Sequence, residues 1–237
     1  FDKISKKSKK YIFNCFKVAL DLIKMKKIQG FINCPVSKEN LFDKNYQGVT
    51  EFLAKNSKVY SDEVMLIFNK KLAVSPITTH IPLSKVSKRI SRAMIINKVK
   101  IINIFYRKIL KKKPIIGILG LNPHNFSQLK NSEEKKIIVP AIKSLKKIKI
   151  KVTGPISPDT SFIQYKQNSL DVLVGMYHDQ VLSPFKSLFN YDAINITLGL
   201  PYIRISPDHG VGKNIVGKNK ANPKSLIESI KFFNLIK

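Results

Sequence analysis

The sequence predicts an α/β fold in which amphipathic helices alternate with short buried strands. Two observations support this prediction: helical spacings of apolar residues alternate with short apolar runs, and 43% of the 237 residues are hydrophobic. That hydrophobic content supplies a core and excludes wholesale disorder, and no apolar run reaches the roughly 18 residues that a membrane span needs. We expect a mostly parallel sheet, with the chemistry in the loops that follow its strands.

The individual elements are predicted in chain order from these patterns. Behind a lysine-rich start, Ile12, Phe16, Leu20 and Ile23 recur at helical spacing and predict an amphipathic helix over residues 2–27. Apolar runs predict strands at residues 30–35, 72–74, 115–119 and 170–176, and helical spacing predicts further helices at residues 86–110 and 133–147.

The charge of the chain is unusual: 43 Lys and Arg residues against 15 Asp and Glu residues give a net charge of +28. Only Arg89, Arg92, Arg107 and Arg204 are arginines, whereas surfaces dedicated to nucleic acid usually use many guanidinium groups. We therefore interpret the lysines as a solvated coat that attracts phosphorylated substrates, and we expect no specific nucleic-acid partner. A lysine-rich nucleic-acid binder is the alternative that ranks last.

The two cysteines, Cys15 and Cys34, do not stand in a spacing typical of metal sites. They are typical of reduced thiols in a cytoplasmic protein. No signal-like apolar segment follows Phe1, which favours the same location.

All four histidines lie in polar segments that follow predicted strands, at His80, His124, His178 and His209. Imidazole is both a metal ligand and an acid–base group near neutral pH. The wide spacing of the four residues forms no local metal motif, and each one alone could be an ordinary loop histidine. From the residues alone, we predict no more than a histidine-lined cleft.

Six segments, in the same order along the chain, resemble the PdxA family of 4-hydroxythreonine-4-phosphate dehydrogenases of vitamin B6 biosynthesis. They are residues 78–83, 120–124, 154–160, 176–180, 195–204 and 208–210, and the resemblance covers most of the chain from about residue 33. It implies a two-domain α/β fold like that of isocitrate and isopropylmalate dehydrogenases. Residues 1–45 and 206–237 would belong to the domain formed by the chain termini, and residues 46–205 to a central domain that binds metal and substrate.

The resemblance also implies an activity and an assembly. The expected reaction is the oxidation of 4-phosphohydroxy-L-threonine by NAD or NADP, followed by loss of carbon dioxide. Residues 117–120 lack the spacing of a GxGxxG dinucleotide fingerprint, in agreement with a family that does not use one. The expected assembly is a homodimer whose active site takes residues from both subunits.

Metal ligands are implied at His80, His124 and His178, for a divalent ion such as Zn, Mg, Mn or Co. Three neutral imidazoles leave coordination positions open for a substrate hydroxyl, as a catalytic metal site requires. The ion would act as a Lewis acid on that hydroxyl.

The remaining site residues implied by the resemblance are of three kinds. Substrate contacts fall on Thr50, Lys186, Asn195 and Arg204. Catalytic roles fall on Lys186, as a proton-transfer group, and on Asp159, for which turn capping is the alternative. The segment Asp208, His209 and Gly210 lies where the family approaches its cofactor, and a loop-stabilising role is the alternative for His209.

Three departures from the family pattern qualify these expectations. The family begins with a strand and a Gly-rich loop that this chain lacks, so we expect about the first quarter of the fold to be absent and the chain alone to be unstable. Val49 stands where the family has a substrate-contacting histidine, and residues 125–128 replace a Gly-rich stretch after His124.

These departures leave two alternatives open besides the lead function. Val49 favours a related dehydrogenase for another 4-phosphorylated hydroxy acid, such as threonate or erythronate phosphate, because valine cannot form a hydrogen bond through its side chain. The absent start favours a catalytically inactive, truncated remnant.

Overall fold

The computed structural model describes residues 6–37, 41, 48–59, 63–126 and 131–236, and the described strands form one sheet of eight. The strands are β1 (Gly30–Ile32), β2 (Val64–Phe68), β3 (Ala73–Thr78), β4 (Ile116–Leu119), β5 (Val152–Ile156), β6 (Val172–Tyr177), β7 (Ile194–Leu198) and β8 (Ile203–Pro207). The four strands predicted from apolar runs are confirmed, as β1, β3, β4 and β6, with ends that differ by up to four residues. Strands β2, β5, β7 and β8 were not predicted.

The described α-helices are α1 (Lys6–Lys24), α2 (Val49–Asn56), α3 (Val86–Arg89), α4 (Arg92–Lys108), α5 (Val139–Lys147), α6 (Pro158–Gln164), α7 (His178–Phe189) and α8 (Lys224–Leu235). A π-helical turn, Glu134–Ile138, leads directly into α5. The amphipathic helix predicted near the amino terminus is confirmed. In the part of the chain that the structure describes, no helix is long and apolar enough to cross a membrane.

The prediction of a single helix over residues 86–110 is wrong at one point, because the structure has two helices there, α3 and α4. Ser91, between α3 and α4, is extended, and its side-chain oxygen accepts a hydrogen bond from the backbone N–H of Met94. A serine in this position caps the first turn of the following helix. The cap therefore begins a separate helix, α4, although the helical spacing of apolar residues continues from α3 into α4.

The order of strands in the sheet is β1-β8-β7-β2-β3-β6-β4-β5. Four neighbouring pairs are parallel: β1 with β8, β3 with β6, β6 with β4, and β4 with β5. Three neighbouring pairs are antiparallel: β8 with β7, β7 with β2, and β2 with β3. The expected mostly parallel sheet is therefore only partly correct. The short links between β2 and β3 and between β7 and β8 can join only antiparallel strands.

Helices cover both faces of this sheet. Leu66, Ile95 and Ile142 belong to one buried cluster, which joins the sheet to α4 and α5, and Ile67 and Phe185 belong to a second cluster under α7. A third, smaller cluster joins α1 to α2 through Phe16, Leu41, Val49 and Leu53. The division into two domains, at residues 45 and 205, stays a prediction.

The parallel part of the sheet determines where the polar segments meet. The carboxyl ends of β3, β6 and β4 lie at the same edge, since these three strands are parallel neighbours. Polar segments after parallel strands form ligand sites at such an edge. His80 follows β3, the turn with His124 follows β4, and His178 follows β6 as the first residue of α7, rather than in a loop.

Candidate active site

A cleft of about 690 Å³ opens between α2, α7 and the strands β7 and β8. Eight of the residues predicted for the site line it: Thr50, His80, Lys186, Asn195, Arg204, Asp208, His209 and Gly210. They come from both parts of the sheet and from segments far apart in the chain. The cleft therefore brings all of the predicted substrate and cofactor residues together, with His80 among them.

Arg204, on β8, places a buried positive charge at the wall of the cleft. The residue is 4% exposed, its Nε donates to Asn33 Oδ1 at 2.6 Å, and its Nη1 donates to Thr197 Oγ1 at 2.9 Å. Burial lowers the pKa of Arg204 to about 10, against the opposing effects of Tyr202 and Glu51, so the charge persists at neutral pH. A guanidinium has five N–H donors, so further donors remain for an anion.

Asn195, on β7, contributes an unusual acceptor. Its side-chain Oδ1 is buried and has no hydrogen-bond partner among the described residues. Leaving a buried acceptor unsatisfied costs about 1–3 kcal/mol, so such atoms point to a role in ligand binding. A hydroxyl or ammonium group of a bound ligand would satisfy it.

Lys186 and Asp208 form the ion pair of the cleft. The Nζ of Lys186, on α7, donates to the Asp208 backbone carbonyl at 2.6 Å and lies 2.5 Å from its Oδ2. Burial raises the pKa of the Asp208 carboxyl, and the ammonium of Lys186 opposes this shift without cancelling it. Ser225 holds Asp208 in turn, because the backbone N–H of Asp208 donates to Ser225 Oγ at 2.8 Å.

Two of the three predicted metal ligands are neighbours. The rings of His80 and His178 have centroids 6.0 Å apart, because the two residues follow neighbouring parallel strands, β3 and β6. A hydrogen bond of 2.7 Å from Thr78 Oγ1 to the Met176 carbonyl joins the ends of these strands. His178 Nδ1 lies 2.7 Å from Asp179 Oδ1. His80 Nδ1 lies 3.6 Å from Glu51 Oε1.

The third predicted ligand, His124, does not join them in this chain. Within the described ranges, no three His, Cys, Asp or Glu side chains are close enough together to hold one metal ion. His124 lies on a short 3₁₀ turn, residues 123–126, and interacts electrostatically with Asp159 in the first turn of α6. Asp159 is exposed and lies outside the cleft lining, so its catalytic role stays a prediction.

Several residues of the cleft were not predicted from the sequence, among them Asn33, Glu51 and Tyr191. Asn33 orients Arg204, Glu51 lies between His80 and Arg204, and the Tyr191 ring lies 5.7 Å from Lys186 Nζ. Glu51 adjoins the predicted contact Thr50, which was a usable signal. Asn33 and Tyr191 carried no such signal, since their proximity to the site depends on strand order.

The positions that depart from the family pattern lie close to the site. Val49 lines the cleft and is buried, so an apolar group forms part of its wall. Asn125 and Phe126 belong to the turn with His124, and residues 127–128 lie outside the described residues.

Comparison with known proteins gives a consistent result. Residues 1–233 match the family described as "Pyridoxal phosphate biosynthetic protein PdxA". A relative from Sulfurihydrogenibium sp. (strain YO3AOP1), named 4-hydroxythreonine-4-phosphate dehydrogenase, is 45% identical over 96% of this chain and 70% of its own length. A crystal structure of a protein of that name from Klebsiella pneumoniae superposes with a TM-score of 0.85 at 33% identity, covering 99% of this chain and 73% of that one.

A more distant structure bears on the fold alone. An isocitrate dehydrogenase from Methylococcus capsulatus has a TM-score of 0.55 at 11% identity, over 92% of this chain and 72% of that one. The predicted fold class, α/β and like that of isocitrate dehydrogenase, is therefore confirmed.

Proposed function

The chain belongs to the PdxA family of pyridoxal phosphate biosynthetic proteins, and we propose that it oxidises 4-phosphohydroxy-L-threonine with NAD or NADP. The observation that carries the proposal is the buried, charged Arg204 in a cleft that also holds Lys186, Thr50 and Asn195. Loss of carbon dioxide from the oxidised product would give 3-amino-2-oxopropyl phosphate for the biosynthesis of pyridoxal 5′-phosphate.

The charges of the cleft support a substrate with a phosphate and a carboxylate. Arg204 can bind either anion through two parallel hydrogen bonds, and its burial strengthens that attraction. Lys186 lies on the same cleft and can neutralise part of the second anion. The Thr50 hydroxyl and the Asn195 amide are neutral groups that would orient the substrate hydroxyl and amine.

The proposed oxidation removes a hydride from the carbon of the secondary alcohol and a proton from its hydroxyl. A bound nicotinamide cofactor supplies the hydride acceptor, and we assign its contact to Asp208, His209 and Gly210. Lys186, held in place by Asp208 Oδ2 and the Asp208 carbonyl, is the assigned proton-transfer group. Its neutral amine would take up the hydroxyl proton, and the ammonium so formed would supply the proton of the second step. In the second step, the bond to the carboxylate breaks, carbon dioxide leaves, and the remaining carbon takes up a proton.

We assign His80, His124 and His178 to a divalent ion, for which the donor chemistry is suitable. His80 and His178 are already neighbours, and Asp179 lies within hydrogen-bonding distance of the Nδ1 of His178, as carboxylates often do beside ligating imidazoles. A bound ion would supply Lewis-acid polarisation of the substrate hydroxyl. Since His124 stands apart within one chain, we propose that it completes the set in a homodimer with a shared active site.

The experiment that tests the proposal is a spectrophotometric assay of NADH or NADPH formation by the purified protein with 4-phosphohydroxy-L-threonine, with and without added divalent metal. Arg204→Ala should mainly raise KM, and the exposed Arg89→Ala serves as the matched control that keeps wild-type kinetics. Absence of metal-dependent cofactor reduction by the wild type would contradict the proposal and favour the inactive remnant.

A second candidate substrate is a 4-phosphorylated hydroxy acid without an amine, such as D-threonate or erythronate 4-phosphate. Val49 favours it, because this buried side chain offers no hydrogen bond at the cleft wall. Turnover of both substrate types side by side decides the matter, since preference for the amino acid would exclude the second candidate.

We also propose that the protein acts in the cytoplasm without a nucleic-acid partner. Cys15 and Cys34 are both free and exposed, as thiols are in a reducing compartment. A nucleic-acid binder would show affinity that falls steeply with salt, so absence of binding at low salt would end that alternative.

A further inference from the structure

We propose that Glu134 is a positioning residue, which holds the turn of residues 120–126, and His124 with it, in place beside α7. The inference rests on the proposed function, in which His124 is a metal ligand. It assigns to Glu134 a role that nothing in its sequence position indicated, since it lies in a lysine-rich helical segment.

The first step of the argument is the set of hydrogen bonds to the Glu134 carboxylate. The residue is 2% exposed, and its Oε1 accepts from the backbone N–H groups of Leu121 and Asn122, each at 2.8 Å. The Asn122 side-chain amide donates to Oε2 at 3.1 Å. Burial by itself would raise the pKa of Glu134, but these hydrogen bonds outweigh it and hold the pKa below its ordinary value.

The second step is the backbone conformation of the turn. His124 has φ 51° and Asn125 has φ 60°, both in the left-handed region that non-glycine residues rarely adopt. Such conformations persist where the surroundings hold them. Glu134 anchors the turn at its start, and Asn125 anchors it at its end by donating from Nδ2 to the Pro155 carbonyl at 3.1 Å.

The third step is the close fit between the turn and its anchors. A side-chain Cβ at Gly120 would lie 2.1 Å from Asn125 Oδ1 and 3.4 Å from Glu134 Oε1. Any residue other than glycine would displace the Asn125 side chain, which anchors the end of the turn at the Pro155 carbonyl. The packing therefore favours glycine at the start of the turn that leads to His124.

The fourth step connects the turn to the other metal ligands. Gln180 Nε2, on α7, donates to the Gly120 carbonyl at 2.7 Å, and Gln180 Oε1 accepts from the Met176 N–H at 2.6 Å. His178 lies between these two residues in the chain and begins α7. One hydrogen-bond network thus runs from Glu134 through the turn to the helix that carries His178.

Glu134 is the first residue of the π-helical turn Glu134–Ile138, and π-type turns often occur at functional sites. The adjacent Glu133 accepts from the Asn122 side chain at 2.9 Å instead of from the backbone of the turn. Both carboxylates accept from the Asn122 side chain, but among the described residues only Glu134 also accepts from backbone N–H groups of the turn, so Glu133 supplies a matched control.

The test measures cobalt(II) binding to the purified protein through the visible absorption bands of the bound ion, together with thermal unfolding. Glu134→Ala should weaken cobalt affinity by about 10- to 100-fold, as loss of an outer-shell partner typically does. Glu134→Gln, whose Oε1 can still accept both backbone N–H groups, should recover most of the affinity. Glu133→Gln should stay within about twofold of the wild type.

The outcomes separate this inference from the ligand assignment. Loss of cobalt binding in His124→Ala, with wild-type binding in Glu134→Ala, would overturn the role of Glu134 and leave the proposed ligand in place. Wild-type binding in His124→Ala would overturn both. Should Glu134→Ala fail to fold, Glu134→Asp decides, because its shorter carboxylate cannot reach both N–H groups: weaker cobalt binding by the folded variant supports the inference, and unchanged binding overturns it.

Discussion

The Lys186 ammonium and the Asp208 carboxylate meet across the cleft, with Nζ and Oδ2 2.5 Å apart. Lys186 lies on α7 and Asp208 directly follows β8, so the contact links the helix that begins with His178 to the strand that carries Arg204. The same Nζ also donates to the Asp208 backbone carbonyl. This pair therefore joins the proposed proton-transfer group to the segment assigned to the cofactor.

Replacement of Lys186 by methionine should lower kcat by about 10²- to 10⁴-fold, the usual contribution of a positioned acid–base group. Methionine keeps most of the length of the side chain but can neither donate nor accept the proton. The check is the rate of NADH formation at saturating substrate. Lys166→Met, an exposed lysine outside the cleft lining, is the control and should keep the wild-type rate.

The pH dependence of stability should report the Asp208 carboxyl. Its pKa is raised above 3.8 in the folded protein, chiefly by burial, so the folded state binds more protons than the unfolded state between that value and the raised one. The free energy of unfolding should therefore fall as the pH rises through this window. Urea unfolding at several pH values checks this, and Asp208→Asn should remove the dependence; an identical slope in the variant would contradict it.

Substitution of Asn195 by alanine should separate binding from stability. The variant loses the buried Oδ1, which has no partner in the described part of the chain, so the free energy of unfolding should change little. Substrate affinity should fall by about tenfold, the equivalent of roughly 1.4 kcal/mol for one lost hydrogen bond. Thr197→Val is the contrasting variant: its hydroxyl accepts from Arg204, so its loss should lower stability.

Removal of the His124 imidazole should abolish metal binding and turnover together. The other two assigned ligands, His80 and His178, would remain, but two ligands hold a divalent ion far less firmly than three. Metal content after dialysis, measured with the rate of cofactor reduction, checks the prediction. The control is His209→Ala, which should retain its metal because His209 is assigned to the cofactor. Turnover by a metal-free His124→Ala protein would refute the assignment of His124 as a ligand.

Loss of the cap at Ser91 should destabilise the fold without touching the cleft. Ser91→Ala removes the side-chain acceptor for the Met94 N–H, at a typical cost of about 1 kcal/mol in the free energy of unfolding. Urea unfolding should show a lower midpoint with an unchanged slope. Ser87→Ala, an exposed position within α3, provides the comparison and should unfold like the wild type.

Local patterns of the sequence were sufficient for the first helix, for four strands and for the segments that contain the histidines. Such elements depend on spacings within a few residues, so each can be read without knowledge of its neighbours. The antiparallel pair β7 and β8 was not predicted, because polar residues such as Asn195 and Arg204 interrupt both strands, so neither forms an apolar run. The break at Ser91 was missed because the apolar spacing continues through it.

The amino-acid sequence specifies which residue types are available to the site and the class of fold that holds them. Which of these residues meet depends on the tertiary structure: Arg204 donates a hydrogen bond to Asn33, 171 positions away in the chain, and His80 lies beside His178 because β3 and β6 are neighbouring parallel strands. The tertiary structure also places the Glu134 carboxylate against the turn with His124, and it places His124 apart from the other two histidines within one chain. Strand order and burial arise from packing across the whole chain, which no local spacing encodes.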